Sequence, residues 1–130
     1  MIIAQTPQYA ISVSKAKNRA YLNIIGFWRN PEQVSNYLAH WDSAIALLKP
    51  GFTLLTDARE MKIHPASVRQ LHEDAQLKII KAGVLKVAEI QKDMIAEMQL
   101  DGVAGETNMP KKNFTDPIEA EQWLDNLVLA

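Results

Sequence analysis

An α/β domain with a mixed, mostly parallel sheet of about five strands and four helices is the fold class this sequence predicts. Three observations carry that expectation. Short apolar runs bounded by Pro, Gly, Asn or Asp alternate with longer stretches whose apolar residues recur at helical spacing. Two proline-bearing capping boxes, Asn30-Pro31-Glu32-Gln33 and Asp116-Pro117-Ile118-Glu119, mark helix starts. Finally, 130 residues are enough to bury one core without staples. No linker, repeat or low-complexity tract divides them, so residues 1–130 read as a single domain.

The elements follow in order. In "YAISVSK", Tyr9, Ile11 and Val13 alternate with small or polar residues and share one strand face. Ala16 to Asn18 reads as a turn, and "RAYLNIIGFW" as the second strand of a hairpin. Gly26 within it marks a bulge or a close backbone approach. From Pro31, the residues Val34, Leu38, Trp41, Ile45 and Leu48 keep helical spacing until Pro50-Gly51. "FTLLTD" is short, apolar and flanked by breakers, as a buried central strand is. A loop with Arg59, Glu60 and His64 follows. Pro65 then opens a second helix, with Val68, Leu71, Ala75 and Ile79 on one face and Gly83 closing it in a left-handed turn. "VLKVAEI" is the next strand. Asp93 caps a helix holding Met94, Ile95 and Met98 that ends near Gly102, and a short edge strand is expected near Thr107 to Met109. The second capping box launches a last helix with Ala120, Trp123, Leu124 and Leu127. The predicted order is β-β-α-β-α-β-α-β-α. Right-handed crossovers make the later strands parallel neighbours, with the helices on one face or divided between two. Loops at the carboxyl ends of such strands can carry function.

Composition narrows the partners. A formal net charge of −1 with scattered Lys and Arg leaves no footprint for nucleic acid. The absence of Cys removes disulfides, thiol catalysis and thiolate metal ligands. No apolar run approaches the roughly 20 residues that span a bilayer. The N-terminal segment "MIIAQTPQYA" lacks the basic and apolar regions of a secretory signal, so a cytoplasmic location is expected. His40, His64 and His72 are the only nitrogen metal ligands and show no ligand spacing, so neither a metal nor another cofactor is expected.

The order of elements, with "LLTDARE" (54–60), "LKVAEI" (85–90) and "FTDPIEAEQWL" (114–124) in it, resembles the STAS domain. That fold is shared by anti-sigma factor antagonists and the cytoplasmic tails of sulphate transporters. The chain is more closely similar to the stand-alone bacterial SpoIIAA-like group. In the antagonists an Asp-Ser pair opens the helix after the central strand, and a partner kinase phosphorylates that serine. Laid on this chain the pair falls at about Pro65-Ala66, where the hydroxyl is missing; Ser67 stands one residue later. The resemblance therefore implies a non-enzymatic protein-interaction or regulatory module whose phosphoswitch serine is not retained. A fold-level likeness to CRAL-TRIO lipid-binding domains implies the alternative, a carrier of a small apolar, lipid-like ligand.

Two residue sets follow from these readings. Asp57, Arg59, His64, Ser67 and Arg69 form a regulatory or partner-binding rim. His64 is placed at the helix cap. A phosphate on Ser67 would sit at a positive helix end with Arg69 close by. Each residue also has a plainer role: Asp57 shapes the turn, His64 is a surface loop residue, Ser67 is an unmodified first-turn polar residue. A hydrolytic His64–Ser67 pair oriented by Asp57 is a much weaker reading, because no nucleophile elbow or oxyanion hole is visible. His72, with Glu73 and Asp74, reads as a polar helix face. The second set is Trp28, Tyr37, Trp41, Met94 and Met98, which either line an apolar pocket or belong to the core. The expected partner is a protein, with a small apolar ligand as the alternative, and a symmetric homodimer through an edge strand or a helix face is open.

Overall fold

The computed structural model describes the backbone of residues 1–129 and the side chains of residues 1–127. Six strands form one sheet in which spatial order equals chain order. β1 (Ile2–Gln5), β2 (Tyr9–Ser14) and β3 (Arg19–Gly26) make an antiparallel meander. β4 (Thr53–Met61), β5 (Lys86–Ile90) and β6 (Lys111–Phe114) continue from β3 in parallel. The crossovers carry α1 (Tyr37–Ile45), α2 (Ala66–Lys81) and α3 (Met94–Thr107), and α4 (Pro117–Leu129) ends the chain.

The helices divide between the two faces. α1, α2 and α3 cover the face built from Tyr9, Ile11, Val13, Leu22, Ile24 and Leu54, which holds the larger core. α4 alone lies on the other face, where Ala120 and Leu124 close a smaller core over Leu55, Ala88 and Ile90. β4 is the central strand of the parallel half and is buried along most of its length. Trp41 and Ile79 are both buried in the larger core, as their helical spacing predicts.

Several boundaries differ from the expected ones. β1 is a sixth strand: four residues are too few to show a period of two, and the pairing with β2 makes them a strand. The first capping box opens a 3₁₀ turn (Pro31–Val34), with Asn30 Oδ1 accepting from Gln33 N at 2.9 Å, and α1 begins only after Ser35-Asn36. β4 runs on to Met61, so Arg59 and Glu60 belong to the strand and not to a loop. α3 passes through Gly102 and ends at Asn108, which takes the left-handed conformation (φ 60°). The edge strand is accordingly Lys111–Phe114, not 107–109, because only that stretch meets the exposed side of β5. Gly83 does close α2 with φ +97°, and a Cβ there would lie 3.1 Å from the Pro50 side chain.

One buried cation joins α4 to the sheet. Arg19, fully buried at the start of β3, donates from Nε to Thr53 Oγ1 at 2.8 Å. Its Nη1 donates to Glu121 Oε2 (2.5 Å) and Asp125 Oδ1 (2.8 Å), one helical turn apart on α4. Tyr21 donates its hydroxyl to Glu121 Oε1 at 2.7 Å. Among the described residues no helix is long and apolar enough to cross a membrane.

Candidate functional site: the carboxyl rim of the parallel strands

The rim begins at a bulge. Asn23 pairs with Asp57 but Ile25 pairs with Glu60, so β4 carries an extra residue opposite β3. The bulge turns Arg59 back on Asp57. Asp57 Oδ1 accepts from Arg59 N (3.1 Å) and Nε (3.0 Å), and Oδ2 accepts from Nη2 (2.7 Å). Burial would raise the Asp57 carboxyl, but the hydrogen bonds from Arg59 outweigh it and hold its pKa below the ordinary value. Asp57 and Arg59 thus neutralise each other in place. Beside them a hollow of about 490 Å³ opens on the sheet, lined by Asn23, Ile25, Asp57, Arg59, Glu60 and Lys92.

Next along the rim is His64, which is buried and not a surface loop residue. Its Nε2 lies 3.0 Å from the Gly26 carbonyl oxygen and its Nδ1 lies 2.9 Å from His72 Nε2. A carbonyl only accepts, so Nε2 carries the proton, Nδ1 accepts, and His72 Nε2 donates. The two imidazoles are 9° from parallel with centroids 5.1 Å apart, the distance of an edge-to-edge hydrogen-bonded pair. Trp28 lies against both, with centroids 4.9 Å away and tilts of 21° and 30°. Burial holds both pKa values low, against the pull of the Gly26 carbonyl on His64; His72 falls to about 3, with His64 adding to the effect. Both rings are therefore neutral near pH 7. Both His64 ring nitrogens are engaged by His72 and Gly26, and Ser67 is not among its partners. α3 holds the same residue by its backbone: His64 N donates to Gln99 Oε1 (2.8 Å), and Gln99 Nε2 donates to His64 O (2.6 Å).

The remaining rim residues fall as follows. Pro65, not His64, occupies the cap position of α2 and offers no capping side chain. Ser67 is exposed in the first turn of α2, while Pro65 and Ala66 carry no hydroxyl. Arg69 turns away from that tip: its Nε is 3.8 Å from Glu73 Oε1, and its guanidinium rests against Gly102 of α3. The expected Ser67–Arg69 proximity is replaced by an α2–α3 contact.

The second predicted set is not assembled into one pocket. Trp28, Tyr37 and Trp41 are fully buried core residues, whereas Met94 and Met98 are exposed on the outward side of α3. The hollow between the sheet and α2–α3 measures only about 20 Å³ and is lined in part by Thr56, His72, Gln76 and Glu89. That is room for a water molecule, against the few hundred cubic ångströms of a ligand cavity.

Exposed apolar residues gather near His64, and of these Phe27 lies outside both predicted sets and outside the 57–67 rim. Phe27, whose ring meets His64 edge-on at 6.3 Å, is half exposed. Ile63, Ile95 and Met98 are each more than half exposed. Ile63 adjoins His64; Ile95 lies one turn before Gln99 on α3, and Met98 is next to it. His72 had a legible signal: it stands four residues after Val68 and three before Ala75, on the apolar stripe and not on a polar face.

Comparisons with known proteins agree with this architecture. No family model matches the chain, and no curated protein matches it. Among solved structures, an uncharacterized protein of the DUF3478 family from Shewanella loihica PV-4, described as having a SpoIIAA-like fold, superposes with a TM-score of 0.71. The match is 20% identical and covers 93% of this chain and 97% of that one. With a mixed sheet, three helices on one face and a capped terminal helix on the other, the chain has a SpoIIAA-like fold.

Proposed function

We propose that this chain is a non-enzymatic, STAS-like protein-interaction module whose partner docks on the carboxyl rim around His64 and Ser67. The observation that carries this reading is the group of exposed apolar side chains, Phe27, Ile63, Ile95 and Met98, on three stretches of chain that meet at His64, whose backbone is bonded to Gln99 of α3 and whose ring meets Phe27. Exposed apolar residues gathered at one place on a surface mark contact sites. A docking surface also gains from being fixed beforehand, because less entropy is lost on binding. Here the His64–His72 pair and the Gln99 clamp supply that fixation. In this reading the module is a dock without the serine switch of the antagonists, since the switch position carries Pro65-Ala66.

Site-specific photo-crosslinking tests the proposal. A benzophenone side chain is placed at Ile63 and, as control, at Leu77, which is equally exposed on α2. The expected result in lysate is a discrete adduct from position 63 that is lost in Met98→Asp and is absent from position 77. Equal labelling from both positions, or none from position 63, would overturn the reading.

A further inference from the structure

The strands β5 and β6 are neighbours, yet the helices that follow them leave in opposite directions. α3 goes to the larger-core face and α4 to the other. Such a divergence opens a crevice beyond the strand ends, the place where open parallel sheets hold ligands. Two adjoining hollows occupy it here. One of about 490 Å³ is lined by Arg59, Gln91, Lys92, Met94, Glu97 and Thr115. The other, of about 370 Å³, shares Gln91, Glu97 and Thr115 with it and continues along Phe114.

Gln91 is the unexplained residue in this crevice. It follows β5, is only 3% exposed, and its Oε1 has no hydrogen-bond partner. Its backbone N donates to Phe114 O at 2.8 Å. Its Nε2 donates to Glu89 Oε1 at 3.1 Å. That bond fixes the carboxamide, because the flipped orientation would set a carbonyl oxygen against a carboxylate. The group left over is an acceptor, and leaving a buried acceptor unpaired is costly. Two more acceptors stand on the shared wall. Glu97 Oε1 accepts from Asn113 Nδ2 at 3.0 Å, and its second oxygen has no partner among the described residues. The Thr115 hydroxyl, on an exposed residue of the same wall, likewise has none among the described residues.

We infer that this crevice binds a small zwitterion of the free α-amino acid class. The three acceptors, Gln91 Oε1, Glu97 and Thr115, match the three N–H bonds of a primary ammonium group. Lys92, exposed and without an ion pair among the described residues, lies on the same wall next to Arg59 and receives the carboxylate. Met94 and Phe114 offer apolar surface for the side chain. The site lies on the β5–β6 side of α3 and does not depend on the docking reading.

Thermal shift and calorimetry with the proteinogenic L-amino acids at millimolar concentration test the inference. At least one amino acid is expected to raise the melting temperature and to bind saturably. Its N-acetyl derivative, which lacks the ammonium, and its carboxamide, which lacks the carboxylate, are expected to fail. Lys92→Ala removes only an exposed side chain and leaves the fold intact; it is expected to weaken binding by about tenfold, as is Glu97→Gln. No shift with any amino acid, or a shift retained by the N-acetyl derivative, would overturn the inference. So would undiminished affinity in both variants.

Discussion

His64 and His72 share one proton bridge, Nδ1 to Nε2 at 2.9 Å, inside a wall formed by Trp28, with the Gly26 carbonyl closing the far end. One pair of neutral tautomers satisfies this chain. An added proton on His64 Nδ1 would set two N–H groups against each other. The rim that carries Phe27 and Ile63 is therefore tied to the charge state of two buried rings.

Stability should fall on acidification. Both histidines have folded-state pKa values below the ordinary 6.5, His72 at about 3. Well above pH 6.5 neither state binds these protons. Below it the unfolded chain takes them up first, so each ring costs up to about 1.4 kcal/mol per pH unit until its folded pKa is reached. Buried Glu89, held above its ordinary range by desolvation, has the opposite sign at lower pH. Urea denaturation at neutral and mildly acidic pH, compared with His72→Phe, isolates the imidazole share because Glu89 titrates in both proteins. The variant is expected to show the shallower pH slope, and equal slopes would contradict the assignment.

Gln99→Leu should free the segment before α2. It removes both hydrogen bonds to the His64 backbone, for a loss of about 1–2 kcal/mol. Hydrogen exchange gives the sharper readout. The His64 amide should exchange faster in the variant while Ile79, in the middle of the core, stays protected at the level of the remaining global stability. Unchanged protection at His64 would show that the imidazole pair alone holds the loop.

Arg19→Met should loosen α4. The guanidinium is 1% exposed, but Glu121 and Asp125 are 31% and 39% exposed, so water takes over part of the lost pairing. The expected cost is about 2 kcal/mol, below that of breaking a fully buried pair. In a double-mutant cycle with Glu121→Gln the two losses should be less than additive, because they remove the same contact.

Gly102→Ala should be mildly stabilising. A Cβ at position 102 would stand 2.8 Å from Arg69 Nη2, so the guanidinium must move. Its pair with Glu73 is long, 3.8 Å, and partly exposed, so moving it costs little. Replacing Gly inside a helix by Ala gains roughly 1 kcal/mol, which leaves a net gain of about 0.5 kcal/mol. A lowered melting temperature would mean that the Arg69–α3 contact is stronger than its geometry indicates.

The fold was legible because its signals are local. The helix caps at Asn30 and Asp116, the Gly83 stop and the period of two in "YAISVSK" each depend on residues within a few positions of one another. Where the local signal was short or mixed, the boundary moved. The four residues of β1 and of β6 became strands only by pairing with β2 and β5. Gly102 looked like a helix stop, but α3 runs through it and ends where Asn108 takes the left-handed conformation.

The candidate site was legible only in outline. Ser67 lies in the first turn of α2 as expected, whereas Asp57, expected to end its strand, sits in the middle of β4, level with the end of β5. Pattern along the chain was enough for the alternation of strands and helices from β2 to α3, the parallel arrangement of the later strands and the rim where loops gather, since these follow from hydrophobic spacing and turn chemistry. The tertiary structure alone decided that Arg59 folds back on Asp57, that His64 faces His72 and Gly26, that Gln99 clamps the loop, and that Gln91 is left with an unpaired oxygen. The contacts of His64 with Gly26 and Gln99 join residues 38 and 35 positions apart, and the Arg59 fold-back depends on the bulge between β3 and β4, so no local pattern encodes them. They are set when the helices close over the sheet and each buried polar group must take whatever partner lies within reach.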